Sequence, residues 1–220
     1  MPGFGAVAFD CDGVLADTDD AWAAAERTLM ENHGGTMAEE LRDATHGLDP
    51  VSTVDVLARA MPGSVDREAL RAELLDDVGR RLREAPKAIP GAAEAVAAAA
   101  LRGPVAVVSN TPSALLHPLL TALGVRERLA GVVAGDEVAR PKPAPDPYCR
   151  AAALLGVPPA HLLVVEDSAT GVSAARAAGA AVISVRAPGR GTLDGPIATL
   201  PDMWAVGRWL AGDYSTGNAG

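Results

Sequence analysis

The stretch VAFDCDGVLADT, Val7 to Thr18, runs apolar through Val7, Ala8 and Phe9 and then sets Asp10 and Asp12 two residues apart. In extended backbone, residues i and i+2 point to the same side. Two carboxylates held so repel each other unless one is protonated or a cation joins them. Three further stretches bring reactive groups. Ser109, Asn110 and Thr111 close one apolar run, Glu166, Asp167 and Ser168 close another, and Lys142 stands between prolines in RPKPAPD. Gathered at one point, the carboxylates suit a hard cation bound by oxygen, and few protein ligands plus water suit Mg²⁺. Lys142 with the Ser109 and Asn110 donors suits an anion, most naturally phosphate. Metal, ammonium and donors together neutralise a phosphoryl group in transfer. A carboxylate among them can attack phosphorus and give an acyl phosphate.

Taken singly, each stretch is ordinary: a DxD pair is a common turn, Ser and Asn favour helix N-termini, and a Pro-rich run is a loop. Their order along a regular alternation of elements is what joins them. Short apolar runs with the length of buried parallel strands occur at Ala6–Phe9, Val105–Ser109, Leu162–Glu166 and Ala181–Val185, with a weaker one at Gly131–Gly135. Helical patterns separate the later runs, opened by Pro or Ser and closed by Gly124, Gly156 and Gly179. The alternation predicts an α/β fold: a parallel sheet with helices on both faces. In such sheets ligands bind outside the carboxyl ends of the strands, which is where the reactive residues fall.

Leu15 to Glu84 breaks the pattern. It carries no convincing strand and reads as helices at Asp20–Asn32, Met37–Ala44, Val51–Ala60 and Asp66–Glu84, with Thr36 and Glu39 spaced as a capping box. The expected organisation is an α/β core from 1–14 and 85–212, an all-helical insert at 15–84 after the first strand, and a flexible tail at 213–220.

Composition narrows the function classes. Of 220 residues, 49% are apolar and 21% charged, as in an ordinary globular protein, and the net charge of −9 argues against a nucleic-acid or anionic-membrane partner. Two cysteines, Cys11 and Cys149, fit a reducing cytoplasm rather than a disulfide framework, and Cys11 is expected to point into the core. The opening MPGFG lacks the features of a signal peptide. A monomer or weak homodimer is expected.

With these residues in place, the chain resembles the haloacid dehalogenase superfamily, in the branch of β-phosphoglucomutase and the small sugar-phosphate phosphatases. FDCDGVLADT, SNT, KPAPDPY and VVEDSATGVSAARAAG resemble the four family motifs in order. The resemblance implies a Rossmann-like core, with the helical insert as a cap domain that closes over the site. It implies Asp10 as nucleophile and Asp12 as general acid/base. It implies Ser109, Asn110 and Lys142 as phosphate binders, and Mg²⁺ held by Asp10, the Asp12 backbone carbonyl and Asp167, with Glu166 close by or ligating. Asp12 also speaks against halide cleavage, because the halide-cleaving relatives lack that second aspartate.

Hydrolysis and mutase chemistry share this core, so the insert must decide between them. The mutase resemblance asks for an arginine shortly after a glycine near HGLDPVSTVDVL, where Asp49 and Pro50 stand instead. The expectation is therefore a Mg²⁺-dependent phosphatase acting on a small sugar or polyol phosphate. The alternatives are a phosphosugar mutase and a catalytically silent binding protein. His46 and Gly47 are candidate substrate contacts from the cap, and the segment Asp17–Trp22 is a further candidate for specificity.

Overall fold

The computed structural model describes residues 3–187 and 191–212; the tail expected at 213–220 lies outside them. Six strands form one sheet: β1 (Ala6–Phe9), β2 (Val105–Val108), β3 (Gly131–Val133), β4 (Leu162–Glu166), β5 (Ala181–Val185) and β6 (Ala198–Leu200). Their order is β3-β2-β1-β4-β5-β6, and every neighbouring pair is parallel. This is the expected Rossmann-like sheet, built from runs buried on both faces.

Side chains alternate across it. Val7 and Phe9 face one apolar cluster, with Val96 of α5 (Ala92–Ala100), Leu116 and Leu120 of α6 (Ser113–Ala122), and Met203 and Val206 of α9 (Met203–Ala211). Ala6 and Ala8 face the other, against Tyr148 and Ala151 of α7 (Asp146–Leu154) and Val172 of α8 (Ala169–Ala177). Phe9 is level with Val107 on β2 and Val165 on β4. The residues that follow these three positions therefore leave the sheet together, at one edge.

Four helices lie between β1 and α5: α1 (Asp19–Asn32), α2 (Glu39–Thr45), α3 (Pro50–Ala60) and α4 (Arg67–Glu84). Leu29, Met30, Val54, Leu57, Leu70 and Leu74 form their shared interior, continuous through Val14 and Leu15 with the cluster on one face of the sheet. Asp49 and Asp66 cap α3 and α4, each accepting two backbone N–H bonds, and Pro50 sits in the first turn of α3. The Asp49–Pro50 pair is thus accounted for as a helix start.

Two expectations change. The Thr36–Glu39 capping box does not form: α2 begins at Glu39 with Ala38 at its N-cap and no side-chain cap bond. A box needs the threonine at the N-cap and the glutamate three residues inside the helix; here the helix starts too late. In addition, β6 and α9 extend the fold beyond the expected five strands. β6 has only three residues, one of them buried, so it carries no periodicity to read.

Candidate active site

Asp10 continues β1 by one residue, its N–H donating to the Val165 carbonyl at 2.9 Å. The chain then turns sharply, with the Cys11 carbonyl accepting from Leu15 and Ala16 at 2.8 and 2.9 Å, and Cys11 itself fully buried as expected. Gly13 makes the turn possible. Its φ is +80°, and a Cβ there would stand 2.2 Å from Asp167 Oδ2. A side chain at this position would have to push the Asp167 carboxylate aside.

Lys142 is the hub. Its buried Nζ donates to Asp10 Oδ1 at 2.6 Å, Glu166 Oε1 at 2.7 Å and the Val108 carbonyl at 2.9 Å. The Pro-rich loop is pinned by Asn110, whose Oδ1 accepts from Lys142 N at 2.9 Å and whose Nδ2 donates to Lys142 O at 3.1 Å. Glu166 is fully buried. Its Oε1 also accepts from Tyr148 at 2.8 Å, and its Oε2 from Asp167 N, Ser168 N and Ser168 Oγ at 3.0–3.2 Å. Asp12 is held by three hydroxyls: Thr18 at 2.8 Å on Oδ1, and Ser109 at 2.7 Å and Thr111 at 2.9 Å on Oδ2.

Carboxylate oxygens of Asp10, Glu166 and Asp167 lie within 4.8 Å of one another. Burial raises the Asp10 pKa, the Lys142 charge opposes this, and Glu166, Asp12 and Asp167 add to the rise. Burial and the Glu166 charge push Asp167 up to about 7. Lys142 stays charged: burial works against it, but Asp10 and Glu166 outweigh that and hold its pKa well above the ordinary value. One ammonium among these carboxylates leaves an excess of negative charge, which a divalent cation relieves. The donor set is all oxygen, as Mg²⁺ requires. With five hydrogen bonds on Glu166, Asp10 and Asp167 are the side chains with oxygens to spare.

A cavity open on one side lies over this edge. Asp10, Asp12, Asn110, Lys142 and Asp167 line its floor, whereas Ser109 and Glu166 stand behind it as supports. Thr18, Asp19 and Trp22 line the wall, so the Asp17–Trp22 segment reaches the site as expected. His46 and Gly47 do too. His46 is exposed, with Nε2 3.8 Å from Asp19 Oδ1, and the Gly47 carbonyl accepts from Asn110 Nδ2 at 3.4 Å. Sequence reasoning missed Glu26 and Arg42, which also line the cavity, and Tyr148. The signal for Glu26 was available. It falls with Ala23 and Met30 on the buried stripe of α1, where a carboxylate has no structural reason to be.

The model of the haloacid dehalogenase-like hydrolases matches residues 4–179. The chain belongs to that family. It is 32% identical over 178 residues to the fructose-1-phosphate phosphatase YqaB of Escherichia coli strain K12, covering 81% of this chain and 94% of that one. It is 33% identical over 193 residues to hexitol phosphatase B of the same organism, covering 83% and 84%. Among solved structures, CbbY from Rhodobacter sphaeroides in complex with phosphate superposes with a TM-score of 0.79 at 26% identity, over 93% of this chain and 96% of that one. The expected enzyme class, a phosphoric monoester hydrolase, agrees with these named phosphatases. Among the described residues, no helix is long and apolar enough to cross a membrane.

Proposed function

We propose that this family member is a Mg²⁺-dependent phosphatase of small sugar or polyol phosphates, working through a phosphoryl-aspartate at Asp10. The observation that carries the reading is the pairing of Asp10 with Lys142 at 2.6 Å, beside Asp12, on the floor of a cavity that opens to the outside. Asp10, Asp167 and the backbone carbonyl of Asp12 would hold the cation, which supplies charge neutralisation for the phosphoryl group.

Asp10 has one oxygen fixed by Lys142 and the other without a hydrogen bond among the described residues. That oxygen attacks phosphorus as the bond to the substrate's ester oxygen breaks. Asp12 gives its proton to the departing alkoxide. It then takes a proton from water as that water attacks the phosphoryl-aspartate, freeing phosphate and restoring the Asp10 carboxylate. Thr18, Ser109 and Thr111 keep Asp12 in place throughout, because a hydroxyl either donates to the carboxylate or accepts from the acid. Lys142 and Asn110 would bind the phosphoryl oxygens at the same floor by exchanging a present acceptor for phosphate, because Nζ already donates to three groups and Nδ2 to two.

The test is p-nitrophenyl phosphate with Mg²⁺. Turnover that EDTA abolishes, and that Asp10→Asn abolishes with the fold intact, supports the reading. No turnover and no phosphoprotein would favour a silent binding protein. A mutase reading draws on Arg42, a cation on the cavity wall that its place in the sequence did not disclose. Phosphorus NMR with β-glucose 1-phosphate separates the two: free phosphate is expected, and glucose 6-phosphate without comparable phosphate would identify a mutase.

A further inference from the structure

The floor of the cavity accounts for a phosphoryl group, but the far wall has polar groups that this chemistry leaves unused. Glu26 on α1 is only 6% exposed, yet it lines the cavity. Its Oε2 accepts from Thr45 Oγ1 at 3.1 Å, and its Oε1 has no hydrogen-bond partner among the described residues. Thr53 on α3, 2% exposed, lines the same wall, and its hydroxyl is likewise without a partner among the described residues. Trp22, Leu48 and Pro50 make the surface between them apolar. Neither group is sealed off from the cavity, so both are available to a ligand that fills it.

Resting on the phosphatase reading, we propose that Glu26, seconded by Thr53, is the specificity-determining contact for the substrate's phosphate-remote end, and that it takes a neutral hydroxyl group. A second anion fits poorly, because Asp19 joins Glu26 on the wall and Asp10, Asp12 and Asp167 crowd the floor. Arg42 is the one Lys or Arg that the insert gives to the cavity, and it stands exposed. Burial raises the Glu26 carboxyl to about 7, against Thr45 and Arg42, so it is present in both protonation states near neutrality. A hydroxyl both donates and accepts, and satisfies either. A bare apolar tail would leave Glu26 and Thr53 unpaired, the situation in which polar sites discriminate most strongly.

Equilibrium binding decides this without turnover. Titration calorimetry in Mg²⁺ on protein carrying Asp10→Asn would compare a hexitol 6-phosphate, hexyl phosphate and phosphoglycolate. The hexitol phosphate is expected to bind tenfold or more tightly than hexyl phosphate. Adding Glu26→Leu should erase that preference, and Glu26→Gln should keep it within about threefold. Equal binding of the hexitol and hexyl esters, a preference that survives Glu26→Leu, or tighter binding of phosphoglycolate would each overturn the assignment. Should Glu26→Leu not fold, Glu26→Ala replaces it, with the same loss of preference expected and a surviving preference again overturning the assignment. Hydrolysis of p-nitrophenyl phosphate by the unmodified chain is a separate result, and its failure would overturn the phosphatase reading instead.

Discussion

Asp10, Glu166 and Lys142 are buried charges that depend on one another. Removing the ammonium by Lys142→Ala leaves two carboxylates with no counter-charge. A loss of about 3–5 kcal/mol is expected in urea melts, together with loss of turnover. Unchanged stability would mean that Lys142 does not hold this buried cluster together. Gly13→Ala tests the close approach of the first turn to Asp167. A Cβ at 2.2 Å from Oδ2 must displace the carboxylate, so a higher Mg²⁺ requirement or loss of activity is expected. Asp167→Asn should act in the same direction, and a Mg²⁺ titration unchanged by both would remove Asp167 from the metal site. Asp10, Asp12 and Asp167 were legible because they follow strand ends and Lys142 because its Pro-rich loop comes after β3, each ordinary alone and telling only in that order. Ser109 was legible as a residue, but its place behind Asp12 was not, because a hydroxyl's partner depends on the register between β1 and β2. Tyr148 was hidden for a different reason: an aromatic on a helix reads as core, and only contact with Glu166 shows its second role.

At the level of elements, the runs that became β1, β4 and β5 were bounded to the residue, because an apolar strand buried on both faces ends where its polar residues begin. The helices of the insert were legible from their apolar spacing, and their starts less so. Asp49 illustrates this: beside Pro50 it caps α3, accepting from Val51 N at 2.9 Å and Ser52 N at 3.2 Å. Asp49→Ala should cost about 1 kcal/mol in thermal melts and leave p-nitrophenyl phosphate turnover in place. A collapse of activity with normal stability would give Asp49 a role beyond the cap. The end of the chain was passed over because β6 is short and α9 shows only Met203, Val206 and Leu210 as an apolar stripe behind the Asp202 cap. Those features become persuasive only once α5 supplies the surface they cover.

The molecule as a whole carries an acid-titrating group away from the metal floor, and this gives stability a pH signature. Glu26 has a folded pKa of about 7 against an ordinary value of 4.5. Below about pH 4.5 it is protonated in both states and costs nothing. As pH rises towards 7 the unfolded chain releases the proton first, so stability falls, by about 3 kcal/mol at most, and the cost is complete above about 7. Glu26→Gln should remove that decline, raising the melting temperature at pH 8 and leaving it unchanged at pH 4. Parallel pH profiles for the two proteins would contradict the burial argument. The insert itself meets the core through the Asn110–Gly47 contact and shares its apolar interior.

The central claim concerns one covalent bond. A magnesium-activated reaction on a sugar phosphate, quenched in acid within a turnover and digested, is to be examined by mass spectrometry. The account predicts the peptide from the N-terminal segment gaining the mass of one phosphoryl group, assigned to Asp10 and labile to hydroxylamine. Turnover of the same substrate with no phosphorylated Asp10 peptide at any quench time, or with the label on another residue, would contradict it.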